Sequence, residues 1–159
     1  MKNLLALAAL CCVAVACNFS AGAKKDFVTG LSATNNGLSY DDAYLVTDEN
    51  KRASDNKIDM NKTVAITVDQ VENFVEKDGR VFPGLDLTVV DKDGTVVLDG
   101  SDILKKDDGY LPQEASVLSG TITVGNPMKG GETYHATMKI WDKLKPESVI
   151  TVNVDLEVR

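Results

Sequence analysis

No cysteine lies beyond position 17. The body of this chain therefore carries no disulfide, no thiolate metal site and no cysteine nucleophile. Histidine occurs once, at His135, and tryptophan once, at Trp141. A general base requires a positioned partner, and a lone histidine in a strand-like stretch is more often a surface or packing residue. Positive charge is also scarce: 17 Lys and Arg stand against 24 Asp and Glu, a formal net charge of −7. That deficit argues against nucleic acid as a partner, and against electrostatic adhesion of the body as a whole to anionic lipid. There is no G-x-S-x-G, no H-E-x-x-H and no phosphate-binding glycine loop. Two carboxylates could always be chosen from so many acids, so a glycosidase pair is not a signal. No enzymatic activity is expected.

Long apolar runs are confined to the amino terminus. Lys2 gives a positive start, and Leu4 to Ala16 is apolar apart from Cys11 and Cys12. A run of about 13 residues reaches roughly 20 Å as a helix, short of the roughly 30 Å core of a bilayer. The pattern is that of a secretory leader. Ala14-Val15-Ala16-Cys17 resembles the lipobox of bacterial lipoproteins. The resemblance implies cleavage before Cys17, a diacylglycerol on its thiol, and acylation (a palmitate-type chain) of the new amino group. Two or more chains hold durably where one holds weakly. An ordinary leader cut after Ala16, with Cys17 unmodified, is the alternative. Asn18 follows the cysteine where the inner-membrane retention signal would place Asp, so the resemblance implies the outer membrane of a bacterial envelope.

Residues 1–16 thus read as a signal peptide, residues 17–25 as a lipidated cysteine and flexible tether, and residues 26–159 as one domain of ordinary size. Within it, short alternating segments recur with turn residues between them. Strands are expected at Asp26 to Ser32, with Phe27 and Leu31 on one face, and at Leu38 to Thr47, with Leu38, Tyr40, Tyr44 and Val46 inward. Another is expected across Lys57 to Asp69. Thr34 to Gly37 and Pro83-Gly84 read as turns, and Val71, Phe74 and Val75 have the spacing of one helical turn. Leu85 to Asp99 reads as a hairpin closed by Asp91-Lys92-Asp93-Gly94. Val117 to Val124, Glu132 to Asp142 and Ser148 to Arg159 alternate cleanly, with Pro146 in the last connection. No amphipathic helix is apparent past the leader. Seven to nine strands, each with one apolar face, must stack as two sheets. The expected fold is an all-β antiparallel sandwich, immunoglobulin-like or transthyretin-like.

Two constellations could bind something. Asp91, Asp93, Asp99 and Asp102 include the D-x-D-G fragment of calcium loops, with calcium as the candidate cation. The remaining EF-hand positions are absent, and D-x-D-G is also ordinary hairpin chemistry. His135, Lys139 and Trp141 share one face of a strand and form a candidate partner or ligand patch, tryptophan being enriched at interfaces. A covering role for Trp141 in the fold is the alternative.

The expected function is that of a membrane-anchored envelope lipoprotein, a non-catalytic interaction module, structural or accessory to an outer-membrane assembly, with an envelope protein as partner. A surface binder of a small ligand or glycan, dependent on calcium, is the second expectation. Mass spectrometry of the native protein is expected to find a first residue at Cys17 carrying acyl chains. An unmodified start beyond that cysteine would remove the anchor.

Overall fold

Alternating β-branched and polar residues condense into strands wherever one face can be buried. The computed structural model describes residues 21–159. The strands are β1 (Ala21–Lys25), β2 (Ser32–Asn36), β3 (Asp42–Thr47), β4 (Lys57–Ile58), β5 (Thr63–Asp69), β6 (Pro83–Val90), β7 (Val96–Gly100), β8 (Val117–Thr123), β9 (Thr133–Asp142) and β10 (Lys145–Val158). A single 3-10 turn at Pro112–Glu114 is the only helical element among the described residues. The larger sheet is seven-stranded, ordered β1-β2-β10-β9-β6-β7, with β4 beside the end of β10. The smaller is three-stranded, ordered β3-β5-β8. Every pairing is antiparallel except β4 with β10. The protein is an all-β sandwich.

Setting aside the β1–β2 hairpin and β4, the wiring β3-β5-β8 against β7-β6-β9-β10 is the Greek key of immunoglobulin-like sandwiches. A second feature agrees. Tyr134, near the start of β9 and buried, accepts through its hydroxyl a hydrogen bond of 2.8 Å from the Lys129 backbone N–H, upstream in the β8–β9 connection. The same hydroxyl donates to Glu132 Oε2 at 3.0 Å. This is the tyrosine corner of such folds. Burial pushes the phenol's pKa up, with Glu132 adding to it, so the group stays neutral.

The core is what alternation dictates. Ile150, Val152, Val154 and Leu156 of β10 meet Ile140, Met138, Ala136 and Tyr134 of β9 in register, all of them buried. Leu85, Leu87 and Val89 of β6 continue this surface, and Val64, Ile66, Val68, Leu118 and Ile122 face it from the smaller sheet. Asp142 is the exception, an acidic residue wholly buried. Its carboxyl group accepts hydrogen bonds from the backbone N–H of Val75 at 2.7 Å and of Leu144 at 2.8 Å. One side chain thus ties the β5–β6 connection to the β9–β10 turn.

Several expectations need correction. Residues 21–25 are not tether but strand β1; residues 17–20 lie outside the described residues, as do the leader and Cys17. Asp26 to Gly30 is a turn rather than a strand, because the Asp26 carboxylate accepts from Val28 N and Thr29 Oγ1 and curls the chain back. Phe27 consequently points into solvent. Thr34 to Asn36 ends β2, and the reversal falls at Gly37. The Leu38–Thr47 stretch is interrupted at 39–41, which shifts the phase of the residues after the break. Ala43 and Leu45 face inward, while Tyr44 turns out beneath the Arg52 guanidinium, 4.6 Å from its ring centre. The helical turn at 71–75 does not form, since Gln70 and Asn73 take positive φ and Glu72 bridges to Ser39. Pro83 and Gly84 open β6, a first-residue position that tolerates proline's missing donor. Pro146 lies inside β10, at its register irregularity.

Two substitutions should separate the two polar pins. Tyr134→Phe removes only the corner hydroxyl and is expected to cost about 1–2 kcal/mol in urea unfolding. Asp142→Ala leaves two part-buried N–H groups without their acceptor and is expected to cost about 2–4 kcal/mol. Equal and negligible costs would contradict both assignments.

Candidate interaction surface

Seven strands are faced by three, so one whole side of the larger sheet stays uncovered by other elements. Inward and outward residues alternate, which sends the complementary set of β9 to that side: His135, Thr137, Lys139 and Trp141. Register places Asp155, Asn153, Thr151 and Val149 of β10 beside them, and Thr88, Asp86 and Gly84 of β6 on the other flank. The candidate patch His135, Lys139 and Trp141 is therefore brought onto one face, as expected.

The side chains there are knitted in cross-strand pairs. His135 Nδ1 lies 2.8 Å from Asp155 Oδ1, both half exposed. Such a pair contributes at most about 1 kcal/mol. Thr137 Oγ1 donates to Asn153 Oδ1 at 2.9 Å. Lys139 Nζ stands 5.7 Å from the Trp141 ring centre, within cation–π reach. Trp141 itself is partly buried, and its seat is Gly84 across the strand pair. A β-carbon on residue 84 would fall 2.2 Å from Trp141 Cε2 and 2.3 Å from Cζ2. Only glycine lets the indole lie against the sheet, so backbone and ring form one platform. The arrangement offers an aromatic surface bordered by a cation, carboxylates and hydroxyls. It suits recognition by contact, with hydrogen bonds at the rim.

The four aspartates are placed differently. Asp91 Oδ1 accepts from the backbone N–H of Asp93 at 2.9 Å and of Thr95 at 2.8 Å, closing the β6–β7 turn, where Gly94 has φ 81°. Asp99 accepts weakly from Ser101 Oγ at 3.4 Å. Asp102 pairs with Lys143 Nζ at 2.8 Å, so an ammonium stands where a cation would. Its backbone N–H donates to Asp86 Oδ1 at 2.7 Å. Among the described residues no three His, Cys, Asp or Glu side chains converge on a common point. Asp91, Asp93, Asp99 and Asp102 are spread along the hairpin and the loop after it, each near its own partner or solvent, rather than gathered.

Other features are invisible in the order of residues. Strand register, not local sequence, decides that Gly84 seats Trp141. Apolar patterning places Phe27 and Val28 in a strand, whereas they form a turn tip. A groove of about 560 Å³ lies beneath that tip, bounded by Lys24, Leu31, Ala33, Ala43 and Arg52. The aspartate, threonine and glycine around the two apolar residues are the available signal of a turn.

No protein-family model matches the chain, and no curated protein is significantly similar to it. The fold and this face define the class: an all-β sandwich whose larger sheet has one uncovered face.

Gly84→Ala should unseat the indole. A red-shifted Trp141 emission and a loss of about 1–3 kcal/mol in stability are expected, the ordinary cost of overpacking. An unchanged emission maximum would mean that the ring does not rest on the glycine.

Proposed function

We propose that this chain is a lipid-anchored protein of the bacterial cell envelope, moored by acyl chains on Cys17 at the outer membrane. Its sandwich works as a non-catalytic interaction module, structural or accessory to an outer-membrane assembly. The uncovered face of the seven-stranded sheet carries this reading, with Trp141 seated on Gly84 and Lys139 above it. Tryptophan fixed in place within a polar face is the residue type that anchors contacts, because its large surface is already ordered before binding. The lipobox-like leader supplies the reason for a module to work at a membrane.

One observation favours a second reading, a glycan or other small ring-bearing ligand. The indole shares its face with Lys139 and with the Asp86 and Thr151 that flank that lysine, groups that would bond the rim of such a ring.

Affinity purification of the full chain from solubilised envelopes, alongside Trp141→Ala and Lys139→Glu, tests the first reading. A protein retained by the native chain and lost from both variants is expected. No partner with either, together with a ligand-dependent rise in melting temperature on a glycan panel, would favour the second.

A further inference from the structure

The two most exposed large apolar side chains among the described residues are consecutive: Phe27 at 89% and Val28 at 65%. They stand at the tip of the β1–β2 hairpin. The tip is well tied. Asp26 N donates to Leu31 O at 2.8 Å, and Gly30 N to Asp26 O at 2.9 Å. The Asp26 carboxylate accepts from Val28 N at 2.9 Å and Thr29 Oγ1 at 2.8 Å, while Thr29 and Leu31 are buried. Burial pushes the Asp26 carboxyl up, but these hydrogen bonds and the nearby Arg52 charge outweigh it and hold its pKa below the ordinary value. A fixed turn therefore keeps two apolar side chains away from the core.

Cations gather at the same place, against the charge of the chain as a whole. Lys24 and Lys25 immediately precede the tip and alternate across the edge strand, beside Ala33 and Ser32. Arg52 lies beneath it, matched by Asp42 at 2.7 Å. The Asp26 carboxylate is engaged inside the turn, and Lys25 has no ion-pair partner among the described residues.

The hairpin also lies close to the candidate anchor. Ala21 begins β1 four residues after Cys17, a reach of at most about 14 Å. β1 is the outermost strand of its sheet, paired on one side only. Ala21 to Lys25 is extended over about 13 Å, and Phe27 stands in the turn just beyond it. A chain moored at Cys17 can thus lay this edge along the bilayer, with Phe27 reaching the surface at its far end.

We propose that the Phe27–Val28 tip is a second membrane contact, seated at the boundary of headgroups and acyl chains in a bilayer containing anionic phospholipid. Lys25 lies at the level of the phosphates, whereas the Lys24 ammonium donates to the Asp41 carbonyl and lies over the Tyr40 ring. Aromatic side chains favour that boundary, and basic residues beside it are drawn to anionic headgroups. The net charge of −7 opposes adhesion of the body, which restricts the contact to this corner. The proposal rests on the acylated Cys17 for its mooring. It sets the sandwich on its β1 edge, leaving the Trp141 face upright and reachable from the side.

The test uses the full lipidated chain with Phe27→Trp in a Trp141→Phe background, reconstituted in vesicles of phosphatidylethanolamine and phosphatidylglycerol with brominated acyl chains. Phe27 packs against little, so melting should be unchanged by its replacement and will verify the fold. A blue-shifted emission is expected, quenched about threefold more than in unbrominated vesicles. Lys25→Glu should abolish most of that quenching. The mass of the amino-terminal peptide reads the anchor separately. A lipidated chain that floats with the vesicles, yet shows solvent-like unquenched emission, overturns the tip contact alone and leaves the tip to a protein partner. A chain without acyl groups that neither floats nor quenches overturns both.

Discussion

The β9–β10 pair sets the frame for everything else. Its register holds from Trp141 with Val149 to Thr133 with Glu157, so two strands alternate in phase over most of their length. Each inward pair joins apolar side chains, from Ile140 with Ile150 to Tyr134 with Leu156. A slip of one residue would turn this whole set outward and bring Thr137, Lys139 and Asn153 into the core. The cost of burying those groups is what fixes the register. Once it is fixed, β6 and β2 dock on either side, and the smaller sheet closes over the apolar face.

The same constraint creates the outer face. Residues excluded from the core on β9 become neighbours of those excluded on β6 and β10. Trp141 meets Gly84 only because Gly84 pairs with it in the β6–β9 register. Stability and recognition are thus two sides of one sheet. The buried polar groups serve the frame rather than the face. Asp142 and the Tyr134 hydroxyl accept from part-buried backbone N–H groups and so hold the connections around the sandwich in place.

The anchored-module reading and the hairpin tip fit one geometry. The chain leaves the candidate anchor, forms the free edge of the larger sheet, and reverses at Phe27 before entering the sandwich. In the proposed orientation the acidic remainder of the domain would stand clear of anionic lipid. Asp91 closes a turn and Asp102 holds a lysine, which suits a body whose loops are tied by their own hydrogen bonds and ion pairs.

The residues alone determined the facing of side chains in β5, β6, β8, β9 and β10. In the regular stretches of those strands each residue's side of the sheet follows from its parity. That was enough for the all-β class, for the hairpin at Asp91–Gly94 and for placing His135, Lys139 and Trp141 together. Alternation failed where local hydrogen bonds compete with it, as at Asp26 and at 39–41, because a single polar turn resets the phase. Tertiary structure alone decided which strands are neighbours. That choice depends on burial summed across two sheets, a non-local quantity that no window of sequence contains. It put Gly84 under Trp141, brought the Val75 and Leu144 backbone N–H groups to the inward-facing Asp142, and left Phe27 standing in water.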